Sequence, residues 1–358
     1  MRAPRLERYL LLEAARSWAA VTLVLLAIML ATRFARFLGQ AASGQLPQEL
    51  LFQVAALSSL QYLIILTPIS LLLAVMMALG RLYRDQEVTA MLACGAPLST
   101  LYRPSLVLAA GVALLTALLS FELGPWAGRT ADALVADAAR NNRYNPFEAG
   151  RFKSVPGAGA VIYTGRISGD GAEIERFFAL QPEADGRDAV TVAVGGSSEA
   201  DAVTGERVIG LREGHRYQGV PGQGDFEILS FAALSTRIAP PQFSELSNKR
   251  KLQSTQSLRQ SDTPEDRAEL AFRLAIPLSV LVLVLLAVPL SHVKPRSGRY
   301  GRMVAGVVLY LVYSQLITLG QVWIAKDQAS VWIGITWVHL LFLSLAAYWI
   351  WRQAGQLR

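Results

Sequence analysis

Cysteine is almost missing from this chain. Cys94 is the only one, which excludes a disulfide framework and a cysteine-built metal site. Histidine is nearly as scarce: the three stand at positions 215, 292 and 339, too scattered to form a ligand cluster. No Gly-x-x-x-x-Gly-Lys-Ser/Thr string occurs. The nearest stretch, Gly39-Gln-Ala-Ala-Ser-Gly44-Gln45, keeps the glycine spacing but lacks the cation that holds nucleotide phosphates. No serine motif is followed by a matching base. Charge itself is absent over long stretches. Ser17–Thr32 has 16 uncharged residues, Pro104–Phe121 has 18, Leu274–Val293 has 20, Met303–Ala325 has 23 and Gln328–Trp351 has 24. Leu50–Leu79 is longer still and is interrupted by Pro68.

A helix needs roughly 20 apolar residues to cross a bilayer, so these six stretches read as membrane spans. The chain is 53% hydrophobic with a mean hydropathy of +0.35, above the range of soluble domains. The spans fall three and three around a polar block. An even number leaves both termini on one side and the block on the other. Short segments on the side of the termini hold 13 Lys and Arg, against 3 on the opposite side (Arg33, Arg36 and Lys326). That asymmetry places the termini in the cytoplasm and exports the block. The first span is expected to stay on the chain, because Arg33 and Arg36 follow it and no small-x-small cleavage site does.

The net charge of +7 is the sum of two unlike parts. Residues 122–273 hold 18 Lys and Arg against 21 Asp and Glu, a net of −3, and the remainder holds 16 against 6, a net of +10. The basic excess belongs to topology-setting loops and does not argue for nucleic acid as a partner. Cys94 reads as a small packing residue.

Arg2–Arg16 alternates basic and apolar residues, as in a short helix lying at the membrane interface. Gln40–Gln48 reads as a polar turn. The loop Gly80–Gly95 is bracketed by glycines and is helix-compatible over three turns, with Arg84 and Glu87 on one face. In the exported block, Ala160–Thr164, Val190–Val194, Arg207–Leu211 and Phe226–Phe231 read as strands. Turn signals separate them at Gly169-Asp170-Gly171, Asp185-Gly186, Gly195-Gly196, Thr204-Gly205 and Val220-Pro221-Gly222. Short strands at this spacing suggest an antiparallel sandwich or open barrel. Pro240–Ser261 is polar and strandless, and Lys249-Arg250-Lys251 within it reads as a solvated loop. Thr263 then caps a helix that has Pro264 at its first position and acids in its first turn.

Proton- or sodium-coupled transporters keep carboxylates within their spans, and here only His339 is ionisable there, read as a packed or partner-bonded residue. The chain therefore has no visible energy source of its own. Arg33 and Arg36 are either interfacial side chains reaching for water or a pair that holds an anionic headgroup through bidentate bonds. Asp85 and Glu87 are either solvated loop charges or part of a docking helix that carries force from a cytoplasmic partner. The basic run Lys294–Arg302 reads as topogenic, its Pro-Arg-Ser-Gly core as a tight turn.

Several motifs together carry a resemblance over nearly the whole length. They are Arg33-Phe-Ala-Arg-Phe-Leu-Gly39, Leu79-Gly-Arg-Leu-Tyr83, Glu87-Val-Thr-Ala-Met-Leu-Ala-Cys-Gly95, Arg267-Ala-Glu-Leu-Ala-Phe-Arg273, and Ala287-Val-Pro-Leu-Ser291 followed by Pro295-Arg-Ser-Gly-Arg299. The chain resembles the LptF/LptG family, the paired lipopolysaccharide export permeases of the Gram-negative inner membrane, and within it the F type. That resemblance implies an α-helical membrane protein of six transmembrane helices with an inserted all-β periplasmic domain, a β-jellyroll. It implies an N-terminal membrane half over 1–121 with spans near 17–38, 50–79 and 98–121 and a coupling helix near 81–94. The jellyroll and its linkers then occupy 122–268. A C-terminal half over 269–358 has spans near 272–293, 303–325 and 328–351.

The resemblance further implies ATPase coupling through Arg84, Asp85 and Glu87, and contact of Arg33, Arg36 and Lys326 with lipid phosphates. The implied partners are a permease of the LptG type, a cytoplasmic ATPase dimer of the LptB type, a single-span jellyroll protein of the LptC type, a bridge protein of the LptA type, and lipopolysaccharide. ATP and magnesium would be bound by the ATPase, with no cofactor in this chain. The expectation is thus a transporter permease subunit and not an enzyme. The alternative is a membrane-anchored periplasmic scaffold or binding protein without transport activity.

Overall fold

The computed structural model describes residues 4–42, 48–140, 149–155, 160–168, 173–182, 187–200, 207–220, 226–238, 249–292 and 299–355. Its helices are α1 (Pro4–Ala42), α2 (Leu51–Arg84), α3 (Glu87–Ala93), α4 (Ser99–Leu118) and α5 (Gly124–Arg140), then, after six strands, α6 (Lys249–Leu252), α7 (Thr255–Gln260), α8 (Pro264–Leu290), α9 (Arg299–Ala325), α10 (Val331–Gly334) and α11 (Thr336–Gly355). Six helical stretches are long and apolar enough to cross a membrane. Contacts divide the chain into two units. One comprises Met1–Thr32, Leu57–Arg129 and Lys249–Arg358, and the other Arg33–Ala56 and Thr130–Asn248.

In the first unit, α8 is the centre. Its partners are α4, α9 and α11, and Leu283, Leu286, Ala287 and Val288 are wholly enclosed. It begins as its sequence requires: the Thr263 side chain accepts from the Asp266 amide, and Pro264 takes the first turn, where its missing N–H does no harm. His339 of α11 is buried, with Nδ1 2.6 Å from the Tyr313 hydroxyl, so it is the partner-bonded residue that its isolation suggested. At the opposite extreme, none of the apolar window of α1 is buried.

Three elements differ from the sequence reading. The basic N-terminal stretch is not a separate interfacial helix: α1 is one unbroken helix from Pro4 to Ala42. No proline or glycine interrupts it between Pro4 and Gly39, so nothing forces a bend at the membrane surface. The helix of the third span does not stop near 121. It passes through a π-turn at Leu119–Leu123 and continues as α5. Lys249-Arg250-Lys251 is not a solvated loop but the greater part of α6. The Gln40–Gln48 turn lies partly outside the described residues, and the Lys294–Gly298 part of the basic run lies wholly outside them.

The inserted all-β domain is present between α5 and α6. Its strands are β1 (Phe152–Val155), β2 (Ala160–Ile167), β3 (Glu173–Pro182), β4 (Asp188–Ala200), β5 (Arg207–Gly219) and β6 (Glu227–Ile238). They form one antiparallel sheet in chain order, each pairing with its sequence neighbour. Gly195-Gly196 is not a turn but lies inside β4. A Cβ at Gly196 would meet the Gly210 carbonyl at 2.6 Å, so glycine here permits close backbone approach. The other four turn signals fall wholly or partly outside the described residues.

A crease crosses this sheet. Pairing is regular on both sides but skips the rungs joining Gly165, Arg176, Val194, Glu213 and Ala232, one residue from each of β2 to β6. Arg176 and Glu213 take left-handed backbone angles there, with φ of 55° and 49°. The buried face changes parity at the same line. Ile174 and Phe177, Ala193 and Gly196, and Leu211 and Gly214 are buried at a spacing of three instead of two. The bend lets a single sheet turn its apolar face on itself. Ile162, Ile174, Phe177, Ile209 and Leu211 make one core, to which no other layer contributes among the described residues. In place of the expected antiparallel sandwich or open barrel, the described strands form one folded meander.

Candidate functional site

The loop between α2 and α3 is fixed by its backbone. Gln86 adopts φ 60°, which ends α2 and starts α3 in a new direction. Arg84 therefore belongs to α2 and Glu87 to α3, and they do not share a helix face as their spacing of three suggested. Arg84 pairs instead with Asp85, Nε to Oδ1 at 3.5 Å. At the far end of α3, Gly95 has φ 83°, its amide reaches the Leu92 carbonyl and the Ala96 amide reaches that of Met91. This is a Schellman closure, and it explains the glycine in Ala-Cys-Gly. Cys94 is the C-cap and is exposed, which corrects its reading as a packing residue.

Glu87 opens α3, where a carboxylate complements the helix dipole. It is also held from outside its own loop. Tyr9 of α1 donates to Glu87 Oε2 at 3.0 Å. Two further pairs brace the same end of the bundle: Glu13 with Arg81 at 3.1 Å and Glu7 with Arg103 at 3.8 Å. Beneath, Tyr83 stacks on His292, with ring centroids 5.0 Å apart, and accepts from Gln353 Nε2 at 3.2 Å. Sequence reasoning singled out Glu87 but missed Tyr9, Glu7 and Glu13. Their only signal was the presence of acids and an aromatic among the arginines of the N-terminal stretch.

Arg33 and Arg36 stand one turn apart on α1, Arg33 half-buried and Arg36 exposed. Lys326 is exposed just past the end of α9 and belongs to the other unit. Its neighbour Asp327, at φ 56°, pairs with Arg267 of α8 at 3.4 Å. In the β unit, a cavity of about 930 Å³ opens at the crease, lined by Phe177, Phe178, Val192, Phe231, Arg176 and His215 among others. Its lining is mainly apolar, with charged groups at Arg176 and Glu213. Among the described residues no group of His, Cys, Asp and Glu is arranged to hold a metal.

A family profile described as "Lipopolysaccharide export system permease LptF/LptG" matches residues 8–352. The chain belongs to the LptF/LptG family. The match takes in all six apolar helices and the inserted sheet, so the LptF/LptG assignment covers both units. Among curated LptF/LptG proteins, the "Lipopolysaccharide export system permease protein LptF" of Escherichia coli strain K12 is 29% identical over 341 residues, 95% of this chain and 92% of the relative. The protein of the same description from Shigella flexneri shows the same identity and coverage. The F-type resemblance of the loop motifs agrees with these names.

Proposed function

We propose that this chain is a transmembrane subunit of an ABC transporter that takes lipopolysaccharide from the outer leaflet of the inner membrane and passes it to β-domains leading toward the outer membrane. The observation that carries the reading is the permease-family match across a chain with six apolar helices around an inserted β unit. Extraction is costly work. Each buried CH₂ of an acyl chain contributes about 0.8 kcal/mol, so a lipid with several long chains resists removal by tens of kcal/mol. A chain without a nucleotide motif must receive that work from a partner, here a cytoplasmic ATPase dimer of the LptB type that binds ATP and magnesium.

The α3 loop suits the task of receiving it. Its ends are fixed by Gln86 and Gly95, and Glu87 is presented in its first turn. Charge asymmetry supports cytoplasmic termini and a periplasmic β unit. Arg33 and Arg36 supply guanidinium groups for the lipid's phosphates, and Lys326, in the other unit, is a separate candidate for the same chemistry. The apolar cavity at the crease offers acyl chains a path beyond the bilayer. A homologous permease of the LptG type completes the channel, and proteins of the LptC and LptA types extend the β-bridge.

Co-purification from intact membranes tests the assembly, and photocrosslinking from position 32, beside Arg33, to lipopolysaccharide tests the substrate. Recovery of the chain without an ATPase and a second permease, or the absence of lipopolysaccharide labelling at 32, would count decisively against the proposal.

A further inference from the structure

Arg273 lies more than two turns into α8 and is only 3% exposed, yet every nitrogen of its guanidinium has a partner. Nε donates to Glu269 Oε1 at 3.2 Å. Nη1 donates to Thr255 Oγ1 at 3.0 Å. Nη2 reaches the carbonyls of Lys251 at 3.1 Å and Gln253 at 3.0 Å, with that of Arg250 at 3.4 Å. The remaining carbonyl of the series, Leu252, accepts from Arg129 of α5 at 2.8 Å. Two arginines thus cap the end of α6, where the Arg250 carbonyl also accepts from the Gln253 amide at 3.1 Å.

Two prolines complete the junction. Pro125 has no N–H, so it cannot donate to the Phe121 carbonyl one turn earlier, and that carbonyl accepts from the Thr255 hydroxyl at 2.5 Å. Pro277 likewise cannot serve the carbonyl of Arg273, which accepts from the Ser120 hydroxyl at 3.1 Å. Each freed carbonyl is satisfied by the opposite segment, as burial demands. Gly128 lets α5 lie against α6, since a Cβ there would fall 2.5 Å from Leu252 Cδ2.

These contacts gather both passages of the chain toward the β unit. The outgoing segment leaves the membrane unit after Arg129, and the returning one re-enters it at Lys249. The returning segment is tied to α8 by the Arg273 guanidinium, and the outgoing one by the Ser120 hydroxyl on the Arg273 carbonyl and, through Thr255, by the Phe121 carbonyl. The other end of α8 is near the α3 loop. His292, just past the helix, stacks on Tyr83, and Gly80 of α2 faces the Ser291 carbonyl. At 1.5 Å per residue, its 27 residues make a rod of about 40 Å.

We propose that Arg273 is a positioning residue for transport, through which displacement of α8, driven at the α3 loop, reaches both connections of the β unit together. The proposal rests on the transport reading given above. It separates lipid capture, which needs only the spans, from lipid transfer, which needs the two connections to move as one.

The test uses the assembled transporter in liposomes with lipopolysaccharide. Three quantities are read: ATPase rate, photocrosslinking to lipid from position 32, and photocrosslinking from position 194 in the β unit. Arg273→Lys keeps the charge but loses the fork. It is expected to keep ATPase activity and labelling at 32, while ATP-dependent labelling at 194 falls about tenfold, within the usual range for coupling between distant sites. Equal loss of all three would mark Arg273 as a folding residue and overturn the proposal, as would unchanged labelling at 194. Should that variant not assemble, Thr255→Val removes the bridge to Phe121 together with the acceptor of Arg273 Nη1, leaves the guanidinium's other bonds in place and carries the same expectation, with undiminished transfer overturning it. Absence of ATP-dependent labelling at both positions in the unaltered protein would instead defeat the transport reading itself.

Discussion

The Tyr9 hydroxyl and a Glu87 carboxylate oxygen, 78 residues apart in sequence, are 3.0 Å apart in space. The contact joins α1 to the first turn of α3, so the carboxylate proposed to meet the ATPase is already aimed by the helix that carries Arg33 and Arg36. A glutamate on a loop anchored only at its ends would sample many rotamers, and the phenol selects among them.

Glu87→Lys is expected to reduce recovery of the ATPase with the permease by about tenfold or more, because it places a like charge where complementarity is needed. Tyr9→Phe keeps the ring and removes the hydrogen bond, which is exposed and contributes less than about 1 kcal/mol. Its effect on ATPase recovery should be severalfold at most. It should vanish in a Glu87→Gln background if the two residues act as a pair, and a double-mutant cycle on purified complexes measures this.

Gly95→Ala forces a side chain into φ 83° and should lower the stability of the loop by about 1 kcal/mol. Gly95→Asn should be milder, since asparagine tolerates the left-handed region. Thermal unfolding of the solubilised complex ranks the two, and an alanine variant as stable as the parent would contradict the Schellman closure.

Gly214→Ala tests the crease. A Cβ there would lie 2.5 Å from Phe231 Cζ and would also press on the Val192 carbonyl. Overpacking of this kind costs about 1–3 kcal/mol. Limited proteolysis of the full chain should show faster cleavage within the β unit and unchanged protection of the spans.

Arg33→Glu combined with Arg36→Glu should abolish lipid labelling from a neighbouring position such as 32. Each charge-assisted bond to a phosphate is worth about 1.5–3 kcal/mol, so loss of two changes occupancy by more than tenfold. ATPase recovery should not change. Persistence of labelling would assign the pair to interfacial anchoring.

Legibility in the sequence followed how local each determinant was. The six spans, the helix start at Thr263-Pro264 and the strand at Val190–Val194 are set by neighbouring residues, and all are present in the structure, although Thr191 and Ala193 rather than the valines face the core. β3 escaped notice because Arg176 shifts its alternation by one, so Ile174 and Phe177 face the same side at odd spacing. The break between Arg84 and Glu87 was hidden because Gln86 has no intrinsic preference that announces φ 60°. At the candidate site, Glu87 was visible as an acid in a conspicuous loop. Tyr9 was not, since its partner lies in another element.

Alone, the sequence determined the number of spans and the asymmetry of charge between their connecting loops, because transfer of apolar surface and the placement of charge act residue by residue. Tertiary structure alone decided that one sheet folds along a crease to enclose its own core. It also decided that Tyr9 meets Glu87, and that a single buried arginine binds the outgoing and returning segments to α8. Those outcomes depend on satisfying particular buried carbonyls and on close backbone approach, which only the packed arrangement of distant segments specifies.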